Sequence, residues 1–106
     1  MIEKGYKSRS ELIREALEEK LRSEAEKGRL RLIIVQSNHH KHPRVDQKIM
    51  EVVYRSAGFL RGLYHQVLDG DKCVTVIIME EGPAAGAVTA KLRSLRGVER
   101  VLVSRL

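Results

Sequence analysis

Residues 60–79 read LRGLYHQVLDGDKCVTVIIM, two runs rich in aliphatic residues on either side of an aspartate–glycine–aspartate turn. Such runs are typical of β-strands, and Asp69-Gly70-Asp71 is typical of a tight hairpin turn. We therefore predict antiparallel strands over Leu60–Leu68 and Lys72–Met79. In this pairing Val67 lies opposite Cys73, and residue 65 is a diagonal neighbour of Cys73 on the same face.

The hairpin lies inside an alternating order of strands and helices. Apolar, β-branched residues predict strands over Arg29–Ser37 and Val98–Leu106. Pro43 and Pro83 suit the first positions of two intervening helices. The side chains that we expect to face inward on these helices, from their spacing, are Val45, Ile49, Val52, Val53, Ala84, Ala87, Val88, Leu92 and Leu95. The order βαββαβ predicts an α+β domain of the ferredoxin-like kind, an antiparallel four-stranded sheet with two helices on one face.

Residues 1–28 predict one amphipathic helix in front of this domain. Ser8 and Glu11 form a capping box, in which each side chain satisfies a backbone N–H of the first turn. We expect the helix to run to about Lys27 and to end at Gly28, a good C-terminal stop. Its apolar stripe consists of Leu12, Ile13, Ala16, Leu17 and Leu21. Because neither this stripe nor the bare face of the sheet has a cover, we predict a dimer or a tetramer.

Charge and composition narrow the class of protein. The formal net charge of the 106 residues is +6, and all of the excess lies in residues 29–106. A basic excess suits a phosphate-bearing partner and equally a solvated surface. No apolar run approaches the roughly 20 residues of a membrane span, and the start has no signal-peptide pattern. We therefore expect a cytoplasmic protein that does not engage a membrane. Cys73 is the single cysteine, which excludes an internal disulfide.

Residues 5–16, GYKSRSELIREA, resemble the second half of a ribbon-helix-helix DNA-binding domain of the CopG class. With the βαββαβ order behind it, the chain resembles the nickel-responsive regulators of that class, whose second domain is an ACT-like tetramerisation and metal-sensing unit. The segments LDGDKC at 68–73 and LRGV at 95–98 fit the same resemblance. It divides the chain into a partial, truncated ribbon-helix-helix segment, 1–28, and an ACT-like effector and oligomerisation domain, 29–106.

The resemblance implies that DNA is a partner of the full-length form. The residues that it places against the DNA backbone are Ser8, Arg9, Ser10, Lys41 and Arg44. The first three open a helix, where free N–H groups favour a phosphate, although serine is favoured there as a cap without any ligand. The base-reading strand of the family would precede residue 1. We therefore expect these 106 residues to bind duplex DNA weakly and without sequence preference.

The resemblance also implies a metal site. The family holds nickel with two histidines at alternate strand positions, a cysteine on the next strand and a histidine from the neighbouring subunit's helix. Aligned on Cys73, the first position is His65, whereas Val67 and Tyr54 occupy the other two. We predict no tight nickel binding; a bound metal would be zinc or copper on His65 and Cys73, with a loop histidine of a neighbouring subunit. The alternative is that His65 is a hydrogen-bonded sheet residue and Cys73 a buried apolar one.

A separate group of histidines, His39, His40 and His42, follows the first strand. It is interpreted as solvated loop rather than as a metal site, because no cysteine or carboxylate stands beside it at a ligand spacing. No phosphate-binding glycine loop or catalytic constellation is found. The sequence therefore predicts a transcriptional regulator and not an enzyme. The alternatives are a stand-alone ACT-like effector-binding or oligomerisation module and, third, a small enzyme on the ferredoxin-like fold.

Overall fold

The computed structural model describes residues 9–21, 29–68 and 70–106. Within them the helices and strands follow one another along the chain as α1 (Arg9–Leu21), β1 (Leu30–Asn38), α2 (Val45–Tyr54), β2 (Leu60–Val67), β3 (Lys72–Glu80), α3 (Pro83–Arg93) and β4 (Val98–Arg105). A short 3-10 turn, Ala57–Phe59, joins α2 to β2. The βαββαβ order predicted for the second part is confirmed, with strand ends that differ from the prediction by one residue.

The four strands form a single antiparallel sheet in the order β2-β3-β1-β4. Val67 pairs with Cys73 and His65 with Thr75 in the β2–β3 ladder, so the predicted register of the hairpin is confirmed. In the next ladder Ser37 pairs with Cys73. Cys73 of β3 therefore lies between Val67 of β2 and Ser37 of β1.

One face of the sheet carries the main core. Ile33 and Val35 of β1 and Ile77 and Met79 of β3 pack there under α2 and α3. Helix α2 buries the four side chains that the spacing predicts. Helix α3 buries Ala85 rather than the predicted Ala87, which is exposed. Positions 85, 88 and 92 lie on one stripe of the helix, whereas 87, two residues after 85, lies on nearly the opposite side.

The second face of the sheet is covered by helix α1. Its Ile13 and Leu17 pack against a cluster of Leu32, Ile34, Val74 and Val76. The sequence left both the helical stripe and this face without a cover, and the structure brings the two together within one chain. Leu12, at 37% exposure, stays outside the contact. The predicted cap Ser8, the predicted end at Lys27 and Gly28, and the side chain of Leu21 lie outside the described residues.

The loop that ends α3 is held tightly against the start of α2. Gly97 has a φ of +94°, and a β-carbon placed on it would lie 2.8 Å from His42 Cβ and 2.9 Å from Val45 Cβ. The backbone N–H of Asn38 donates to the carbonyl of Gly97 at 2.9 Å. The β1–α2 loop is thus fixed by a residue that lies more than fifty positions further along the chain.

An ion pair closes the opposite end of the sheet. Arg31 Nε donates to Glu81 Oε1 at 2.8 Å, and only 9% of the Arg31 side chain is exposed.

No helix in the described residues is long and apolar enough to cross a bilayer.

Candidate metal centre

The candidate site lies where β1 ends and β3 begins, on the face of the sheet that α2 covers. Cys73, one residue into β3, is fully buried. His39 Nδ1 lies 2.8 Å from its sulfur, and the thiol donates to Asp46 Oδ2 at 3.5 Å. One potential ligand atom from each of these three residues lies within 4.8 Å of the other two. The site therefore combines a thiol, an imidazole and a carboxylate.

The environment of the thiol favours its protonated form. The pKa of Cys73 is raised to about 11, mainly by burial and further by the charge of the Asp46 carboxylate and by the hydrogen bond that the thiol donates to it. Burial penalises a lone thiolate, and a neighbouring anion repels it. A bound cation would reverse this balance, since it would neutralise both negative groups at once.

His65 faces the same carboxylate from β2. Its Nε2 lies 3.7 Å from Asp46 Oδ2, and its Nδ1 lies 2.9 Å from the hydroxyl of Thr75, its partner across the ladder. Thr75 is fully buried. This contact orients the imidazole ring and directs its outer nitrogen towards the carboxylate. The two residues predicted as metal ligands, His65 and Cys73, are thus brought to one site around Asp46.

The loop that carries His39 is held in place by backbone contacts. The N–H of His39 donates to the carbonyl of Asp71, in the turn between β2 and β3, at 3.1 Å. Asn38 Oδ1 accepts from the N–H groups of His40 and Lys41, each at 3.0 Å. The Asn38 side chain thus holds the backbone of the loop in a turn. Of the three loop histidines, His39 lies in the site, against Cys73.

Sequence reasoning missed two residues of the site. His39 was interpreted as solvated loop because no carboxylate stood beside it, yet Asp46, seven residues further on, is brought to it by the first turn of α2. His39 does lie in a turn, but it is half-buried and its ring lies against Cys73 rather than in solvent. The signal available in the sequence was Asp46, an acidic residue in the first turn of the predicted helix.

The nickel arrangement of the resemblance does not fit these residues. Val67 lies opposite Cys73 and offers no donor atom, and its side chain is 53% exposed. Tyr54, at the end of α2, is 58% exposed and carries a phenol that is protonated near neutral pH. Of the positions that align with the four family ligands, two carry nitrogen or sulfur donors.

The residues predicted to contact DNA lie in two places. Ser10, near the start of α1, is 1% exposed, and its hydroxyl donates to Gln36 Oε1 at 3.0 Å, whereas Arg9 is exposed. Ser8 lies outside the described residues. Lys41 and Arg44 are exposed and line a shallow cleft of about 360 Å³ at the start of α2, together with Lys48 and Arg96.

The fold is that of the ACT class. The ACT domain from GTP pyrophosphokinase of Chlorobium tepidum superimposes with a TM-score of 0.53 over 73% of this chain and 96% of that chain, at 20% identity. An uncharacterized protein from Thermotoga maritima superimposes with a TM-score of 0.62 over 74% of this chain and 96% of its own, at 16% identity. At these identities the likeness shows the fold alone.

Sequence comparison gives the family. A Methanocaldococcus jannaschii protein named "Putative nickel-responsive regulator" is 32% identical over 110 residues, which cover 98% of this chain and 77% of that protein. A protein of the same name from Methanocella arvoryzae is 31% identical over 108 residues, with 95% and 76% covered. No protein-family model matches the chain. The chain belongs to the family of these nickel-responsive regulators.

Proposed function

We propose that the chain is part of a DNA-binding transcriptional regulator. In this role residues 29–106 form the oligomerising, effector-sensing domain, and the residues before them belong to a ribbon-helix-helix domain of the CopG class. One observation supports the proposal above all: relatives named as regulators align over almost the whole chain, including the segment GYKSRSELIREA at 5–16.

The cleft at the start of α2 supports a contact with the DNA backbone. Lys41, Arg44, Lys48 and Arg96 line it, and the start of a helix adds the positive end of its dipole. Lysine and arginine neutralise phosphates and release their counterions, which gives affinity without sequence information. The proposed role of Lys41 and Arg44 is therefore to position the second domain on the duplex.

The proposed phosphate contact of Ser10 requires a rearrangement. Its hydroxyl donates to Gln36 of β1 and is buried between α1 and the sheet. To reach a phosphate, α1 would have to leave the sheet, and this would expose the apolar cluster around Leu32 and Val74. Another surface of apolar character would then have to cover that cluster.

Titration of a fluorescent duplex at several salt concentrations tests the DNA proposal. We expect weak, sequence-independent binding by the 106 residues, and a Lys41→Ala, Arg44→Ala double variant should reduce the salt slope by about one to two units. Lys91→Ala, an exposed lysine of α3 outside the cleft, is the matched control. Equal slopes for the double variant and the wild-type protein would contradict the role of the cleft.

We further propose that the protein is a homo-oligomer. Strand β2 is an edge of the sheet, and its Tyr64 and Val67 are more than half exposed. An edge strand with exposed apolar side chains is a site for pairing with another chain. Sedimentation at micromolar concentration should give a dimer or a tetramer, and a monomer there would contradict the proposal.

A further inference from the structure

Beyond the regulatory role, we propose that His39, Asp46 and Cys73, with His65 as the fourth ligand, form a tetrahedral zinc site within a single subunit. This site shares His65 and Cys73 with the positions that align with the family's nickel ligands. It replaces the other two donors by residues of the same chain. Its ligands come from four elements: the loop after β1, the first turn of α2, β2 and β3.

Three of the four ligands lie close enough together for one zinc ion, since one ligand atom of each of His39, Asp46 and Cys73 lies within 4.8 Å of the other two, and His65 approaches this group through Asp46. Bonds of about 2.0–2.3 Å in a tetrahedron place neighbouring ligand atoms about 3.3–3.6 Å apart. Cys73 Sγ lies 3.5 Å from Asp46 Oδ2, and His65 Nε2 lies 3.7 Å from the same oxygen. His39 Nδ1, now 2.8 Å from the sulfur, would have to move by roughly 0.7 Å to meet the tetrahedral spacing. Rotation of the His39 side chain supplies such a shift, and His65, which lies outside the group of three, would have to turn towards the sulfur as well.

The chemistry of the donors points to the same metal. Zinc accepts sulfur, nitrogen and carboxylate oxygen together, and four protein ligands make a closed structural site. Square-planar nickel favours an all nitrogen and sulfur set, and magnesium and calcium favour oxygen. When the ion binds, the sulfur–zinc bond forms and the thiol proton leaves to solvent. The thiolate and the carboxylate then balance the two positive charges of zinc.

Buried hydroxyl groups orient two of the four ligands. Ser37 Oγ donates to Asp46 Oδ1 at 3.2 Å, which leaves Oδ2 directed at the thiol. Thr75 contacts Nδ1 of His65 and leaves Nε2 directed at the carboxylate. Ser37 and Thr75 are both fully buried. Outer contacts of this kind fix the orientation of metal ligands and raise affinity.

Zinc titration of the whole chain, stripped with a chelator and in competition with a chromophoric chelator, tests the proposal. We expect one zinc ion per chain. Cobalt in place of zinc should give the strong visible absorption of a tetrahedral ion together with a near-ultraviolet thiolate charge-transfer band. Weak cobalt absorption without the thiolate band, or a stoichiometry of one ion per two chains, would overturn the proposal.

Variants locate the site. His39→Gln and Asp46→Asn should each lower zinc affinity at least tenfold, and Thr75→Val by about tenfold or more, the usual effect of an outer contact. His40→Gln, the exposed neighbour of His39, is the matched control and should bind as the wild-type protein does. Cys73→Ser could fail to fold because Cys73 is buried, so Asp46→Asn, checked by circular dichroism, decides. Unchanged affinity in folded His39→Gln and Asp46→Asn variants would overturn the proposal, whatever the outcome of the DNA titration.

Discussion

Val67 lies directly opposite Cys73 in the β2–β3 ladder, on the face of the sheet that also carries His65. An imidazole at position 67 would stand between the two residues and beside the sulfur. One of the two missing donors can therefore be supplied by a substitution at a half-exposed position.

Val67→His should raise the affinity for nickel by about tenfold or more, the scale on which single changes around a metal act. The wild-type protein should bind nickel only weakly, because two of the four aligned positions offer no suitable donor. Calorimetry with nickel measures both. Tyr64→His places the same side chain on the same strand but on the opposite face and is the control. An equal gain in nickel affinity in both variants would show that the added histidine binds nickel independently of Cys73.

Glu81→Gln should lower the free energy of unfolding by about 1–3 kcal/mol at neutral pH, because it leaves the nearly buried Arg31 without its charged partner. The Arg31 hydrogen bond holds the pKa of Glu81 below its ordinary value. A lowered pKa means that this stabilisation is complete above the ordinary glutamate pKa and is lost as the pH falls through the folded-state pKa. Urea unfolding at several pH values measures the difference.

The control for this pair is Glu99→Gln. Glu99 also has a lowered pKa, caused mainly by its hydrogen bond with Lys72, but about a third of each side chain is exposed. Exposed pairs contribute little because water screens them. The loss should be clearly smaller than for Glu81→Gln, and an equal or larger loss would contradict the assignment of Arg31 as the buried partner.

The thiol of Cys73 should react with a disulfide reagent far more slowly in the native chain than in urea. Burial and Asp46 raise its pKa to about 11, so that the reactive thiolate is scarce at neutral pH. A raised thiol pKa also means that the free energy of unfolding falls as the pH rises above the ordinary cysteine value. A colorimetric assay of thiol release measures the rate; native and unfolded rates of similar size would contradict the burial.

Gly97→Ala should destabilise the fold by about 1–3 kcal/mol, the cost of a strained positive φ in a residue with a side chain. The added carbon would also press on His42 and Val45. Gly58→Ala is the control, since a β-carbon there meets nothing within 4 Å. Chemical denaturation of the two variants should therefore separate them, with Gly58→Ala close to the wild-type protein.

The ladder and the order of elements were predictable because they rest on local patterns. The turn at 69–71 fixes which residues of β2 and β3 pair, and a period of two assigns His65 and Cys73 to one face. The contact of Asp46 with Cys73 was not predictable in this way. It depends on the position of the first turn of α2 over the sheet. That position is set in part by the close approach of Gly97, which is distant in sequence, to Val45. The cover of the second face by α1 was missed for the same reason.

Because helix α1 packs on the second face of the sheet, any partner that binds this face must first displace the helix. A helix joined to its binding surface by a few residues competes at an effective concentration on the order of millimolar. A second copy of the sheet, or any other apolar surface, must bind tightly enough to compete with α1 at this effective concentration before it can cover the cluster around Leu32 and Val74. The same exchange would release Ser10 from Gln36. Displacement of α1 from the sheet would therefore free this face for a partner and the start of α1 for a phosphate at the same time.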